Sequence, residues 1–265
     1  MSESDASQDI VTVIQRNIET WLSIDWESLK SCKSKGKGGR FEKVRLLIDR
    51  CDQLPAPPLA DWCKALPLKW TAKGKDAGQK TWCLRTDAKP FTGPKGEVAL
   101  EREFVGAANN GWWVQTPTAS GFNVRGAGKR SIDLVWETRT SEFRFIELKC
   151  NPRTNNPVYA AAELIEYGIF YSAVRSRADL REKLCEKSDR LLGASAIEFR
   201  VLAPQSYYDP SLPEPAHKRK LRVLGERISE GFASLGNEIR MNFLFMVFDE
   251  GTASARQRLE EAKPL

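Results

Sequence analysis

Asp133, Glu147 and Lys149 are residues whose types and spacing could do chemistry together. Asp133 lies in Ser131-Ile-Asp-Leu-Val-Trp-Glu137, and the other two close Phe143-Arg-Phe-Ile-Glu-Leu-Lys149. Both segments are apolar enough to be neighbouring strands. Because side chains alternate along a strand, Glu147 and Lys149 project from one face while Leu148 turns into the core. Two carboxylates and an ammonium converging on a point suit a Mg²⁺ or Mn²⁺ site for cleaving a phosphodiester, a reaction that needs an activated water and stabilisation of charge on phosphoryl oxygens. Mg²⁺ takes oxygen ligands and keeps several waters, so two or three protein oxygens suffice. Asp133 and Glu147 are the candidate ligands, with the Leu148 carbonyl as a third oxygen and Lys149 at the attacking water or the developing phosphate charge.

These residues need elements to position them. Upstream, Glu97 to Ala108 reads as a helix with Leu100, Phe104 and Ala108 on one face; Glu97 and Glu101 lie beside that face, and Glu103 lies on its opposite border. Glu101 is the choice for a helix-borne carboxylate completing the site, with Glu97 in reserve. The strands are expected at Trp112 to Thr116, Ile132 to Glu137 and Phe143 to Lys149. Asn156-Pro157 has the composition of a helix start, an N-cap followed by proline at the first helical position, and leads a helix to about Arg175. A helical stretch at Asp179 to Leu192, a strand at Ile197 to Leu202, a helix from Lys218 to Leu235 and an apolar strand at Met241 to Phe248 follow. This order predicts an α/β fold, a mixed sheet with helices on its faces.

The first third reads differently. Helices are expected at residues 8–22 and from Phe41 to Leu54, the latter ended by Pro55-Ala-Pro-Pro58, with a Gly/Ser/Lys-rich linker at 31–39 between them. Leu68 to Trp70 and Thr81 to Arg85 could form a hairpin. Residues 1–92 are therefore expected to form a basic α+β module, separate from a domain at 93–265. The net charge of +6 is concentrated there: residues 1–96 carry 17 Lys/Arg against 12 Asp/Glu, the remainder 24 against 23. Such an excess favours polyanions. Trp62, Trp70 and Trp82 interleave with lysines, a mixture that suits base stacking, yet tryptophans in a small module are more often its core.

Arg125-Gly-Ala-Gly-Lys-Arg130 lacks the spacing of a phosphate-binding P-loop. As a loop just before the Asp133 strand it offers Arg125, Lys129 and Arg130 to a nucleic-acid backbone. The six cysteines have no C-x-x-C pair and His217 is the only histidine, which disfavours zinc, a disulfide framework and Ser–His or Cys–His catalysis. Reduced thiols are the expectation. No apolar run is long enough to span a bilayer and the first ten residues are polar, so a cytoplasmic protein without membrane contact is expected.

Ile132-Asp133 on one strand and Ile146-Glu-Leu-Lys149 on the next resemble the PD-(D/E)xK nuclease superfamily. The resemblance covers roughly residues 96–202; the proline of the superfamily's name is replaced by Ile132. It implies a restriction-endonuclease-like αβββαβ core, here with an N-terminal α+β extension, and a metal-dependent nuclease acting on DNA, in a defence or mobile-element setting. Glu163-Leu-Ile-Glu-Tyr167 is similar to the Q-h-x-x-Y motif that some members carry on the helix after the lysine, which would place Glu163 and Tyr167 near the nucleic acid, with glutamate where glutamine is usual. The alternative is a nuclease-fold module without catalysis, binding nucleic acid or protein within a larger complex. A homodimer, or a partner held through the N-terminal module, fits either reading.

Overall fold

A computed structural model describes residues 10–30, 39–66, 81–84, 96–107, 111–118, 130–150, 156–184, 186–236, 239–251 and 255–265. Four helices come first: α1 (Ile10–Leu22), α2 (Trp26–Lys30), α3 (Gly39–Asp49) and α4 (Leu59–Ala65). Helix α5 (Glu97–Ala107) leads into three antiparallel strands, β1 (Trp112–Pro117), β2 (Ser131–Arg139) and β3 (Glu142–Leu148). Helices α6 (Pro157–Arg175), α7 (Ala178–Arg181) and α8 (Glu186–Leu192) then cross to β4 (Ala196–Pro204). Next come α9 (Gln205–Tyr208), α10 (Pro215–Ala233), β5 (Arg240–Phe248), α11 (Ala255–Glu260) and a short β6 (Lys263–Pro264). The strands stand in chain order, β1 to β6, with β3, β4 and β5 parallel and the other pairs antiparallel. This is an α/β fold on an open, mixed six-stranded sheet.

Strand alternation sorts the core into two layers. Phe145, Val201 and Phe245 face α6, α10 and the N-terminal helices; their neighbours Ile146, Leu202 and Met246 face α5 and α11 through Phe104 and Leu259. Helix α6 lies at the centre. Of its 19 residues all but Glu163 and Arg175 are buried, as expected of a helix apolar all round. Asn156 caps it, its Oδ1 accepting from Tyr159 N at 2.9 Å and its amide donating to the Leu29 carbonyl at 2.5 Å. Gly168 lets α10 approach: a Cβ there would collide with the Phe232 ring and press on Phe199 at 3.1 Å.

Several expectations change. Residues 81–84 form a turn, not a hairpin strand, and Trp82 is fully buried, packed on Phe145 and edge-on to Tyr171; Leu68 to Trp70 lie outside the described residues. Asp179 to Leu192 is two short helices rather than one. The apolar side chains of α1 to α4 belong to the same core as α6 and α10, so the N-terminal segment is packed against the sheet layer instead of standing apart. Cys83 is disulfide-bonded, against the expectation of reduced thiols, whereas Cys51, Cys63 and Cys150 are free. Among the described residues no helix is long and apolar enough to cross a membrane.

Candidate active site

The site lies where β2 and β3 part. Their backbone pairing runs from Arg139–Glu142 to Leu134–Ile146 and stops, which leaves the next amides of β3 without a partner strand on that side. The Asp133 carboxylate fills the gap, its Oδ2 accepting from Leu148 N at 2.9 Å. Glu147 and Lys149, on the α6 side of β3, meet directly: Lys149 Nζ lies 2.5 Å from Glu147 Oε1 and 3.4 Å from Glu163 Oε2 of α6. Glu147 and Lys149 are 3% and 4% exposed. Such burial of charge is tolerated only with close partners. The lysine is further tied to the sheet by its own N–H, which donates to the Leu202 carbonyl at 3.0 Å.

Helix α5 contributes Glu101, which is 2% exposed. Its Oε2 accepts from Gln115 Nε2 at 2.7 Å, and Gln115 Oε1 in turn accepts from Ser131 Oγ at 2.9 Å. Gln115 adopts a left-handed backbone, φ 49°, an unfavourable conformation for a residue with a Cβ. That kink in β1 aims its amide at the glutamate and the start of β2. Nothing in the local sequence signals it.

Electrostatics agree with this crowding. Burial, then the Asp133 charge, push Glu101 up to about 7. Burial raises Asp133 to about 6, although Lys149 and the Leu148 amide pull the other way. Burial and Asp133 also hold Glu147 well above the usual range. Burial disfavours the charge on Lys149, but Glu147, Glu163 and Asp133 more than offset this and keep it an ammonium. Among the described residues Lys149 therefore faces Glu147, Glu163, Asp133 and Glu97, with Glu101 beside Asp133, a crowding of carboxylates that a cation would relieve.

Among the described residues no three His, Cys, Asp or Glu side chains are gathered as a ready metal site. The carboxylates are turned toward protein donors: Asp133 to an amide, Glu147 to Lys149, Glu101 to Gln115. Yet Glu97 Oε1, Glu147 Oε2 and Glu163 Oε2 are buried with no hydrogen bond. Hard oxygen donors of this kind, all anionic, fit Mg²⁺ or Mn²⁺. The donor set fits the cation, and the carboxylates would exchange partners to take it.

Of the other expected residues, Tyr167 is buried in the wall of the site, where burial and then Glu147 raise its phenol. Arg130 is committed to an interior partner: its Nη1 lies 2.7 Å from the fully buried Glu166, whose other oxygen faces Gln15 of α1 at 3.5 Å. Arg125 and Lys129 lie outside the described residues, and Glu103 points away from the site toward Arg258 at 3.9 Å. The sequence reading missed Gln115 and Glu166. Comparison with protein-family models, with curated proteins and with solved structures finds no match.

Proposed function

We propose that this chain is a Mg²⁺- or Mn²⁺-dependent nuclease with a restriction-endonuclease-like core, hydrolysing phosphodiester bonds in DNA. The observation that carries the reading is Asp133, Glu147 and Lys149 gathered at the fork between β2 and β3, with Glu163 of α6 on Lys149 and Glu101 of α5 near enough to Asp133 to feel its charge. The order α5, β1, β2, β3, α6, β4 supports it, being that of an αβββαβ core. Asp133, Glu147, Glu101 and the Leu148 carbonyl would hold the cation. When bound, it supplies charge stabilisation on the phosphoryl oxygens and a more acidic water.

The chain's own residues supply the rest. Lys149, kept protonated and clamped by Glu147 and Glu163, orients the attacking water and offers a charge-assisted hydrogen bond to the phosphate. Glu163, in place of a glutamine, adds a negative charge next to that ammonium and fixes its direction. Leu148 and Ile146 pack into the opposite core layer and hold the strand rigid.

Plasmid, linear duplex, single-stranded DNA and RNA, each with and without Mg²⁺, form the decisive assay. Cleavage of DNA that needs the cation and falls at least about 100-fold in Asp133→Asn and Lys149→Ala is expected. Variants as active as the parent would sink the proposal. A second reading, a non-catalytic binding module, draws on the closed Lys149–Glu147–Glu163 ion cluster. Calorimetric titration separates the two: no uptake of Mg²⁺ or Mn²⁺, even with DNA present, favours the binding module.

A further inference from the structure

Lys149 is flanked by the end of β4, because its N–H donates to Leu202 O, and α9 begins at the residue directly after β4. Within α9, Tyr207 is 1% exposed and its hydroxyl has no hydrogen-bond partner. The adjacent Tyr208 differs. Its hydroxyl is held at 3.1 Å from Val201 O and 3.2 Å from Met246 O, and its ring meets that of Tyr207 edge-on at 5.3 Å. One tyrosine is thus anchored in the sheet and steadies the other, whose hydroxyl is spare.

Burial acts most strongly on that hydroxyl, and the charges that reach it include Lys149, Glu97 and Glu163, all members of the candidate site. A buried hydroxyl without a partner is rare in folded proteins, and one set among the charged groups of the site calls for a partner that enters with the ligand. Among the described residues the site is rich in acceptors and poor in donors, since its ammonium, Lys149, is shared between Glu147 and Glu163. A phosphate entering it brings more acceptors. A phenol O–H supplies a donor without adding charge.

We propose that Tyr207 is a catalytic residue of the nuclease, its O–H donating to a non-bridging oxygen of the scissile phosphate beside Lys149. The assignment rests on the nuclease reading and adds to it a substrate contact from α9, an element outside the strands and helices that carry the acidic residues.

Tyr207→Phe removes one oxygen and keeps the ring. On linear DNA with Mg²⁺, kcat/KM is expected to fall about 10- to 100-fold with no drop in melting midpoint. In Ca²⁺, affinity for a twelve-nucleotide thymidine oligonucleotide, read by fluorescence anisotropy, should weaken several-fold. Tyr208→Phe, which loses bonds to backbone, should do the reverse, lowering the midpoint while keeping kcat/KM. Tyr207→Phe cleaving like the parent, or behaving like Tyr208→Phe, overturns the assignment. If the parent cuts nothing, the nuclease reading itself fails and the oligonucleotide decides: equal affinity in parent and Tyr207→Phe, or none in either, overturns the contact.

Discussion

Asp133 and Glu101 are held far above their values in an unfolded chain, 3.8 and 4.5, because burial and neighbouring carboxylates, Glu163 and Glu97 for Asp133 and Asp133 for Glu101, penalise their charged forms. The folded protein accordingly holds protons that the unfolded chain has released. The stability this provides is complete below about pH 4 and is lost as pH rises through about 6 for Asp133 and about 7 for Glu101. The melting midpoint of the metal-free protein should fall between about pH 4 and about pH 7, and Mg²⁺ should raise it at the upper end and not at the lower. Cleavage should climb over the same window as the carboxylates ionise. A midpoint that is flat or rises with pH in EDTA would refute this account of the cluster. At this scale the sequence was informative where chemistry follows strand parity: Glu147 and Lys149 do share a face, and Leu148 does turn away. It was silent on Gln115, whose role comes from a strained backbone, and on Glu166, which pairs with Arg130 across 36 residues.

The elements around the site were legible wherever the signal is local. Helix α6 begins at Pro157 behind an Asn156 cap, as the pair Asn-Pro indicates; β2, β4 and β5 each extend the expected strand by one to three residues, and β3 has the expected length shifted by one residue. What was missed is short or depends on partners far away: α2, α4, α9 and α11 have too few residues to show a period, and the turn at 81–84 owes its place to Trp82 N bonding Pro117 O at 2.7 Å. The cap and the close helix crossing give a prediction for α6. Asn156→Ala loses both an N-cap bond and a buried bond to Leu29 O, and should cost about 1–2 kcal/mol. Gly168→Ala forces the Phe232 ring aside and should cost roughly 1–3 kcal/mol. Denaturant unfolding of each variant checks both, and a change below about 0.5 kcal/mol in either contradicts the packing described.

At the level of the whole molecule, the main departure from the sequence reading is the shared core. Composition and charge suggest a separate basic module, since the basic excess lies in the first 96 residues, along with Gly/Lys-rich and Pro-rich stretches. The buried side chains say otherwise: Ile14, Ile18, Leu29, Ile48 and Leu59 are fully buried with α6 and α10. Charge patterns report the solvent face of a helix and carry no information about which layer its apolar face joins. A fragment of residues 93–265 should therefore lack cooperative thermal unfolding and bind a hydrophobic dye, because the α6 and α10 faces would be bared. A sharp melting transition for that fragment would argue for two independent units.

The same shared core has a consequence for the order in which the protein is made. The apolar stripe of α1, formed by Ile10, Val11, Ile14, Ile18 and Leu22, is closed over by α6, which leaves the ribosome about 135 residues later. At about 5–20 residues per second that delay is roughly 7–27 seconds. For that interval the nascent chain carries an uncovered greasy helix at its leading end, a natural substrate for a ribosome-associated holdase.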